Sequence, residues 1–381
     1  MRFQEHFVTD RFQLIDFKIK QLYTLNKKNK ILFLLKMPYF RKMNLLRKLF
    51  FPFALLYGGI TFLRNYLYDN GFLKSYEFDI PVIAVGNLSV GGTGKTPQIE
   101  YLIRLLSSIY KVATLSRGYK RQSKGFVLAD ANANAKLLGD EPFQFFQKFK
   151  DIQVAVDANR KEGIEKLLAL KTPPELILLD DAYQHRRVKA DFYILLTSYG
   201  DLYSDDFMLP TGNLREISSG AARANIIIVT KCPANLTSEE QDRITAKLKV
   251  KTSQAVFFTF IDYDDCIYSA NEKVAVSAIQ KVDKLLLAGI AKPKPFFTYL
   301  NADQASCLTY PDHHDFTAKD ILDIKSKAEN KIIVTTEKDY VRLKDSLPEE
   351  QLFYLPIQSN FLSKKAQFDQ TILNFVAAKS K

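Results

Sequence analysis

PVIAVGNLSVGGTGKT, residues 81–96, is the stretch on which the reading of this chain turns. Pro81 to Val85 is a short apolar, β-branched run bounded by Gly86, the signature of a strand buried in a parallel sheet. Gly91, Gly92, Thr93 and Gly94 follow as a loop. Glycines accept positive φ, so several backbone N–H groups can converge on one ligand. Lys95 and Thr96 open a helix expected over Pro97 to Ser107, and its first turn adds unpaired N–H groups and a partial positive charge. Such parts hold a nucleoside polyphosphate, with Lys95 on the β/γ-phosphates and the Thr96 hydroxyl on Mg²⁺. Ser89 stands where the general pattern G-x-x-x-x-G-K-[ST] has glycine, and a plain glycine turn is the duller alternative. The strand before the loop and the helix after it argue against that alternative.

The chain has 381 residues, room for two domains or one large one with a sizeable core. Its formal net charge is +12, which favours nucleic acid, anionic lipid or phosphorylated substrates. The excess is uneven. Residues 18–48 include Lys27, Lys28, Lys30, Arg41, Lys42, Arg47 and Lys48 and no acid. An uncharged run, LFFPFALLYGGITFL at 49–63, follows at once. That order points to a membrane surface more than to a nucleic-acid groove, and a solvated basic tail is the bland reading. The apolar run is short for a span, so a helix lying in or anchored to the cytoplasmic leaflet is expected, with a buried amphipathic helix as the alternative. Cys232, Cys266 and Cys307 are widely spaced, which indicates neither a zinc site nor a disulfide framework. The four histidines lack metal-ligand spacing.

Residues 1–42 read as a flexible basic extension or as an artefact of start-site choice, with Met43 as a second natural start. From Pro81 the chain alternates strand and helix. Apolar runs at 81–85, 111–115, 152–156, 175–179, 191–196, 225–230, 256–261, 284–288, 331–335 and 352–355 read as strands. Helical stretches such as Glu141–Lys150 and Asn159–Leu170 lie between several of them. The pattern argues a doubly wound parallel sheet. The expected division is a membrane-associated helix at 43–70, a phosphate-loop lobe at 71–255, a linker region at 256–283 and a smaller α/β lobe at 284–381.

Several charged turns fall at strand ends. ELILLDD, 175–181, ends an apolar strand in Asp180 and Asp181, which would face the phosphate loop and hold Mg²⁺, or else form an ordinary turn. His185, Arg186 and Arg187 follow closely. Arg117 in Ser116–Tyr119 suits bidentate phosphate contact, and Tyr119 suits stacking on a substrate. In Gly139–Pro142, Asp140 is either a general base for a hydroxyl or a helix N-cap. In Leu209–Glu216, Arg215 is placed to neutralise a transferred phosphoryl group and Glu216 to join the metal site, or the two form a surface ion pair. Pro311–His314 puts histidines beside Asp312, where one could orient a catalytic carboxylate or merely cap a turn. The charges of Thr335–Asp339 end a strand and are expected to line a cleft.

With these residues assembled, the chain resembles the tetraacyldisaccharide 4'-kinase family, the lipid A 4'-kinases of Gram-negative bacteria. The likeness runs from about Met43 to the C-terminal region. It rests on GNLSVGGTGKTP at 86–97, SRGY at 116–119, GDEP at 139–142, DANR at 157–160, DDAYQHRR at 180–187, LPTGNLRE at 209–216, AGIAKPKPF at 288–296, PDHHDF at 311–316 and TTEKD at 335–339. The family's phosphate loop shares the Ser89 departure. Ala182-Tyr183 replaces the common Gly-Phe, and Ile217 stands where proline often follows Arg-Glu.

The resemblance implies a P-loop NTPase-like α/β lobe, a smaller α/β lobe and an N-terminal membrane-associated helix. It implies transfer of the ATP γ-phosphoryl group to the 4'-hydroxyl of a tetraacylated glucosamine disaccharide 1-phosphate, at the cytoplasmic face of the bacterial inner membrane. Asp140 then looks like the catalytic base, coupled to His313, with Lys95 and Arg215 also catalytic. Thr96, Asp180, Asp181 and Glu216 look like Mg²⁺-site residues. Arg117, Tyr119, Arg160 and His185 fall where substrate or phosphate contacts are expected. Neither nucleic acid nor an obligate protein partner is expected. The competing reading is a membrane-tethered nucleotide switch of the GTPase kind. Its guanine-reading motif has its nearest match at Thr230-Lys231-Cys232, which lacks the aspartate.

Overall fold

The apolar runs expected as strands all pair into sheets, because each is buried on both faces and leaves its backbone groups no other partner. The computed structural model describes residues 47, 49–300, 307–312 and 314–380; the expected extension at 1–42 and the candidate His313 lie outside the described residues. A nine-stranded sheet takes β1 (Val82–Asn87), β2 (Val112–Ser116), β3 (Val127–Leu128), β4 (Gln153–Val156), β5 (Leu176–Asp180), β6 (Phe192–Ser198), β7 (Ile226–Thr230) and β8 (Ala255–Tyr263). A six-stranded sheet takes β9 (Cys266–Tyr268), β10 (Lys273–Ala275), β11 (Lys284–Ala288), β12 (Cys307–Thr309), β13 (Ile332–Thr336) and β14 (Leu352–Leu355). The last strand, β15 (Ile357–Phe361), returns to the large sheet and pairs antiparallel with β8.

In the large sheet β1 lies between β5 and β6, parallel to both, with Val82 opposite Ile177 and Ile83 opposite Phe192. Strands after β1 are added first on one side and then on the other. The crevice outside the carboxyl end of β1 is therefore where an open α/β sheet takes a ligand.

Six helices matter for the site: α1 (Phe51–Asp69), α2 (Lys95–Leu106), α3 (Asp140–Lys148), α4 (Arg160–Leu168), α5 (Glu337–Leu343) and α6 (Lys365–Lys379). Helix α2 turns Ile99, Leu102, Ile103 and Leu106 into the core, the spacing of one helical face. Phe368, Ile372 and Val376 of α6 join the same cluster. Residues 357–379 therefore belong with the large sheet, and so does β8. The expected division, with a linker at 256–283 and one lobe from 284 to 381, is corrected accordingly. The small sheet is inserted between β8 and β15 of the large one. Alternating polar residues in IQSNF conceal β15, because an edge strand buries only part of its surface.

Helix α1 is built the other way round. It buries Ala54, Thr61 and Asn65 on one stripe and leaves Phe53, Leu55, Leu56, Ile60, Phe62 and Leu63 exposed. Among the described residues, no helix is long and apolar enough to cross a membrane.

Candidate active site

Strand β1 runs straight into the glycine loop, and α2 begins at Lys95. Gly91 and Gly94 hold φ of 106° and 85°, the left-handed region that lets the loop fold back on itself. Two residues at the end of β7 brace the loop. The Thr230 hydroxyl donates to the Thr93 carbonyl at 2.7 Å, and Lys231 Nζ donates to the Gly92 carbonyl at 2.5 Å. Thr230-Lys231 thus supports the phosphate loop instead of reading a guanine base.

The loop at 209–216 adds itself to the same edge. Val90 N–H donates to Asn213 O at 2.7 Å and Arg215 N–H to Leu88 O at 2.7 Å, a local pairing that carries Arg215 across the mouth of β1. There its guanidinium forks onto Asp181, at 3.1 Å and 2.8 Å, and donates to the Asn87 side chain. Lys95 Nζ approaches the same Asp181 carboxylate at 3.6 Å. Burial pushes Asp181 up, but Lys95 and Arg215 outweigh it and hold the carboxyl down at about 2. Asp180 next to it behaves oppositely. Burial, with Glu141 and Asp181 nearby, pushes it up to about 7. Lysine, arginine and a carboxylate thus stand where charge on a phosphoryl group would have to be balanced.

Magnesium suits oxygen donors, and this edge supplies them. Asp180 Oδ1 is buried with no hydrogen-bond partner among the described residues. The Asp181 carboxylate and the Thr96 hydroxyl are further hard oxygen donors from the same two motifs, a donor chemistry that fits the ion. Glu216 does not join them. Its Oε1 accepts from Asn65 at 2.7 Å and from Arg223 at 2.5 Å, and its Oε2 accepts from Arg223 at 3.0 Å. The expectation of a metal ligand there is corrected: Glu216 is a wholly buried anchor for α1 and for Arg223. Adjacent residues on an extended loop point apart, and Arg215 and Glu216 do so.

The turns after β2 and before α3 cross through two glycines. Gly118 and Gly139 have φ of 69° and 90°, and a Cβ on either would lie within 3 Å of backbone in the other turn. Only glycine permits this approach, which brings the turn carrying Arg117 and Tyr119 against the turn that leads into Asp140. Both Arg117 and Tyr119 are exposed. Asp140 is the first residue of α3, and its carboxylate accepts from Arg342 of α5. Arg160 is corrected. It is 1% exposed, and it donates to Asp157 O at 2.6 Å and to Asp180 O at 3.2 Å, so it ties two strand ends together from beneath. Its own pKa is driven down to about 10 by that burial. His185 packs over it with Nε2 3.2 Å from Ala158 O, and burial followed by Arg160 lowers its pKa.

The charges of 335–339 divide. Thr336 caps α5 by accepting from Asp339 N–H, and the Asp339 carboxylate accepts from the Thr336 hydroxyl and from Gly289 N–H, both at 2.7 Å, a purely structural set of contacts. Glu337 reaches across to Lys148 at 2.7 Å. Sequence reasoning passed over Asn87, Glu141 and Arg342 as site residues. Asn87 and Glu141 sit inside motifs already singled out, whereas nothing local marks Arg342, whose partner lies 202 residues away.

What this edge is shaped to hold is a nucleoside polyphosphate beside an acceptor, and that defines the class: P-loop phosphotransferases. The sequence profile described as Tetraacyldisaccharide-1-P 4'-kinase matches residues 46–377. The tetraacyldisaccharide 4'-kinase of Flavobacterium johnsoniae is 66% identical over 88% of this chain and 98% of its own length. That of Bacteroides thetaiotaomicron is 44% identical over 87% of this chain and 93% of its own. The crystal structure of the "apo" form of LpxK from Aquifex aeolicus in complex with ATP is similar with a TM-score of 0.70 and 31% identity, over 87% of this chain and all of that one. The chain belongs to the tetraacyldisaccharide-1-P 4'-kinase family.

Proposed function

We propose that this chain transfers the γ-phosphoryl group of ATP to the 4'-hydroxyl of a tetraacylated glucosamine disaccharide 1-phosphate, a step of lipid A biosynthesis. The observation that carries this is the convergence of Lys95 and Arg215 on Asp181 at the mouth of a phosphate loop, with Asp140 presented by the crossed glycine turns. Phosphoryl transfer asks a protein for position and charge more than for covalent chemistry. The loop N–H groups and Lys95 would cradle the β- and γ-phosphates, and Arg215 would leave Asp181 to meet the migrating charge. Thr96, Asp180 and Asp181 would hold Mg²⁺, which supplies charge neutralisation between the phosphates when bound. Asp140 would take the proton of the sugar hydroxyl, with His313 as its companion in the family pattern. Arg117, Tyr119 and His185 would contact the disaccharide phosphate.

The acylated substrate requires an enzyme at a lipid surface. Helix α1 supplies one: contiguous exposed apolar residues are rare on soluble monomers and mark interaction sites. Its Tyr57 and Asn65 hydrogen-bond to Arg215 and Glu216, so the lipid-facing helix is tied to the loop that carries the site arginine. The cytoplasmic leaflet of the bacterial inner membrane is the surface this reading requires. Radiolabelled ATP with a tetraacyldisaccharide 1-phosphate acceptor tests the activity. Labelled lipid is expected, and Asp140→Asn and His313→Ala should each lower turnover far more than ATP affinity. Nucleotide hydrolysis without labelled lipid would instead support a nucleotide switch.

A further inference from the structure

Helices α3 and α5 join the two sheets as an antiparallel pair, because the start of each meets the end of the other. At one end Lys148 of α3 sits between Glu337 and Glu100, at 2.7 Å from each. Glu100 belongs to α2, so this end fastens three helices together. Between the ends, Phe143 and Val341 share a small apolar cluster with Leu138 and Val156. At the other end Arg342 of α5 meets Asp140 of α3.

The two ends are not equivalent. Arg342 donates through Nε to Asp140 Oδ2 at 3.1 Å, places Nη2 on the same oxygen, and donates through Nη1 to the His314 carbonyl at 3.1 Å. Its side chain is 9% exposed. Burial disfavours the charged guanidinium, but Asp140 outweighs burial and raises its pKa. Arg342 is therefore a fixed cation whose donors span the candidate base and the PDHHDF loop. A guanidinium holds a carboxylate by a rigid fork, which a lysine cannot copy. A fixed positive charge beside a base also keeps the base ionised and makes it a weaker proton acceptor.

We infer that Arg342 is a positioning residue for phosphoryl transfer: it orients the Asp140 carboxylate toward the acceptor hydroxyl and ties its proton affinity to the docking of the small sheet. The inference rests on the reading of Asp140 as the base. In the step, the sugar oxygen gives its proton to Asp140 and bonds to the γ-phosphorus. The bond from that phosphorus to the bridging oxygen breaks, and its electron pair leaves with ADP. Asp140 then carries a proton facing a guanidinium, which favours loss of that proton to water and resets the base.

The test compares the full-length enzyme with Arg342→Gln, Arg342→Lys, Lys148→Met and Asp140→Asn, following kcat and KM for ATP against pH with the acylated disaccharide phosphate as acceptor. Arg342→Gln should lower kcat about tenfold or more at nearly constant KM. It should also move the acid limb of the kcat profile upward by about one pH unit, as expected when a fixed charge leaves a carboxylate. Arg342→Lys keeps the charge and loses the fork, so kcat should fall while the limb stays. Lys148→Met breaks the other end of the helix pair and should lower the melting temperature with the limb unmoved. If Arg342→Gln does not fold, the fall in kcat of Arg342→Lys at constant KM decides. An acid limb that Arg342→Gln leaves in place, or that Lys148→Met moves equally, overturns the inference. Full activity in Asp140→Asn removes the base assignment itself, and the inference with it.

Discussion

Helix α2 turns Ile99, Leu102, Ile103 and Leu106 into the large sheet, whereas α1 turns Thr61 and Asn65 inward and leaves Leu56, Ile60 and Leu63 outside. Both helices reach the phosphate loop, α2 as its continuation and α1 through the 209–216 loop that pairs with Leu88 and Val90. The more apolar of the two helices is therefore the one that buries less of its apolar surface. Burying a leucine or phenylalanine side chain contributes about 1.5–3 kcal/mol, and α2 gains that from the core. Helix α1 leaves much of it unclaimed, with Leu56, Ile60 and Leu63 exposed. The difference teaches that the polar residues of a helix, here Thr61 and Asn65, can be the better guide to which side faces the protein.

Substitutions at four positions sharpen or break that contrast. Lys95→Met, at the charged start of α2, should lower the phosphoryl-transfer rate by about 10²–10³, the range for losing one stabilising donor, with the melting temperature unchanged. A matching loss of stability would mean that Lys95 serves the fold. Leu102→Ala on the buried face of α2 should cost about 2–5 kcal/mol in urea unfolding. Asp180→Asn at the adjacent strand end should remove a pH dependence. The native pKa, pushed to about 7, lies above the value near 3.8 of an ordinary aspartate, so between those limits the native state keeps a proton that the unfolded chain has lost. The wild type should therefore lose stability as pH rises from about 4 to 7, and the asparagine variant should melt several degrees higher at pH 8. Identical melting curves at pH 8 would show that the carboxyl is not desolvated. Smallest of all, Leu56→Ala on α1 should change stability in detergent-free buffer by no more than about 0.5 kcal/mol. Leu56→Glu should weaken flotation with anionic vesicles, and undiminished flotation would take α1 off the membrane.

The strands of the large sheet were legible because doubly buried strands are continuous apolar runs, as in LILLD at β5. The phosphate loop was legible because its glycines, Lys95 and Thr96 sit in one short window. Short strands such as β3 and β12 were not, since two or three residues carry no period. Long-range pairs stayed hidden for a different reason. Glu216 looked like a companion of Arg215 because they are neighbours in sequence, yet its partners Asn65 and Arg223 come from elsewhere. Asn65, a lone amide after an apolar run, was the available signal. Arg160 carried no mark at all of its burial under Asp180.

The return of β15 and α6 to the large sheet has a consequence for the order of events in the cell. Phe368, Ile372 and Val376 pack in the cluster that seats the phosphate-loop helix, yet they emerge from the ribosome long after that helix does. A nascent chain carrying the nucleotide cradle therefore lacks its back wall until residues 365–376 have been made. In that interval the apolar face of the phosphate-loop helix has lost part of its cover, the condition under which incomplete chains are prone to aggregate.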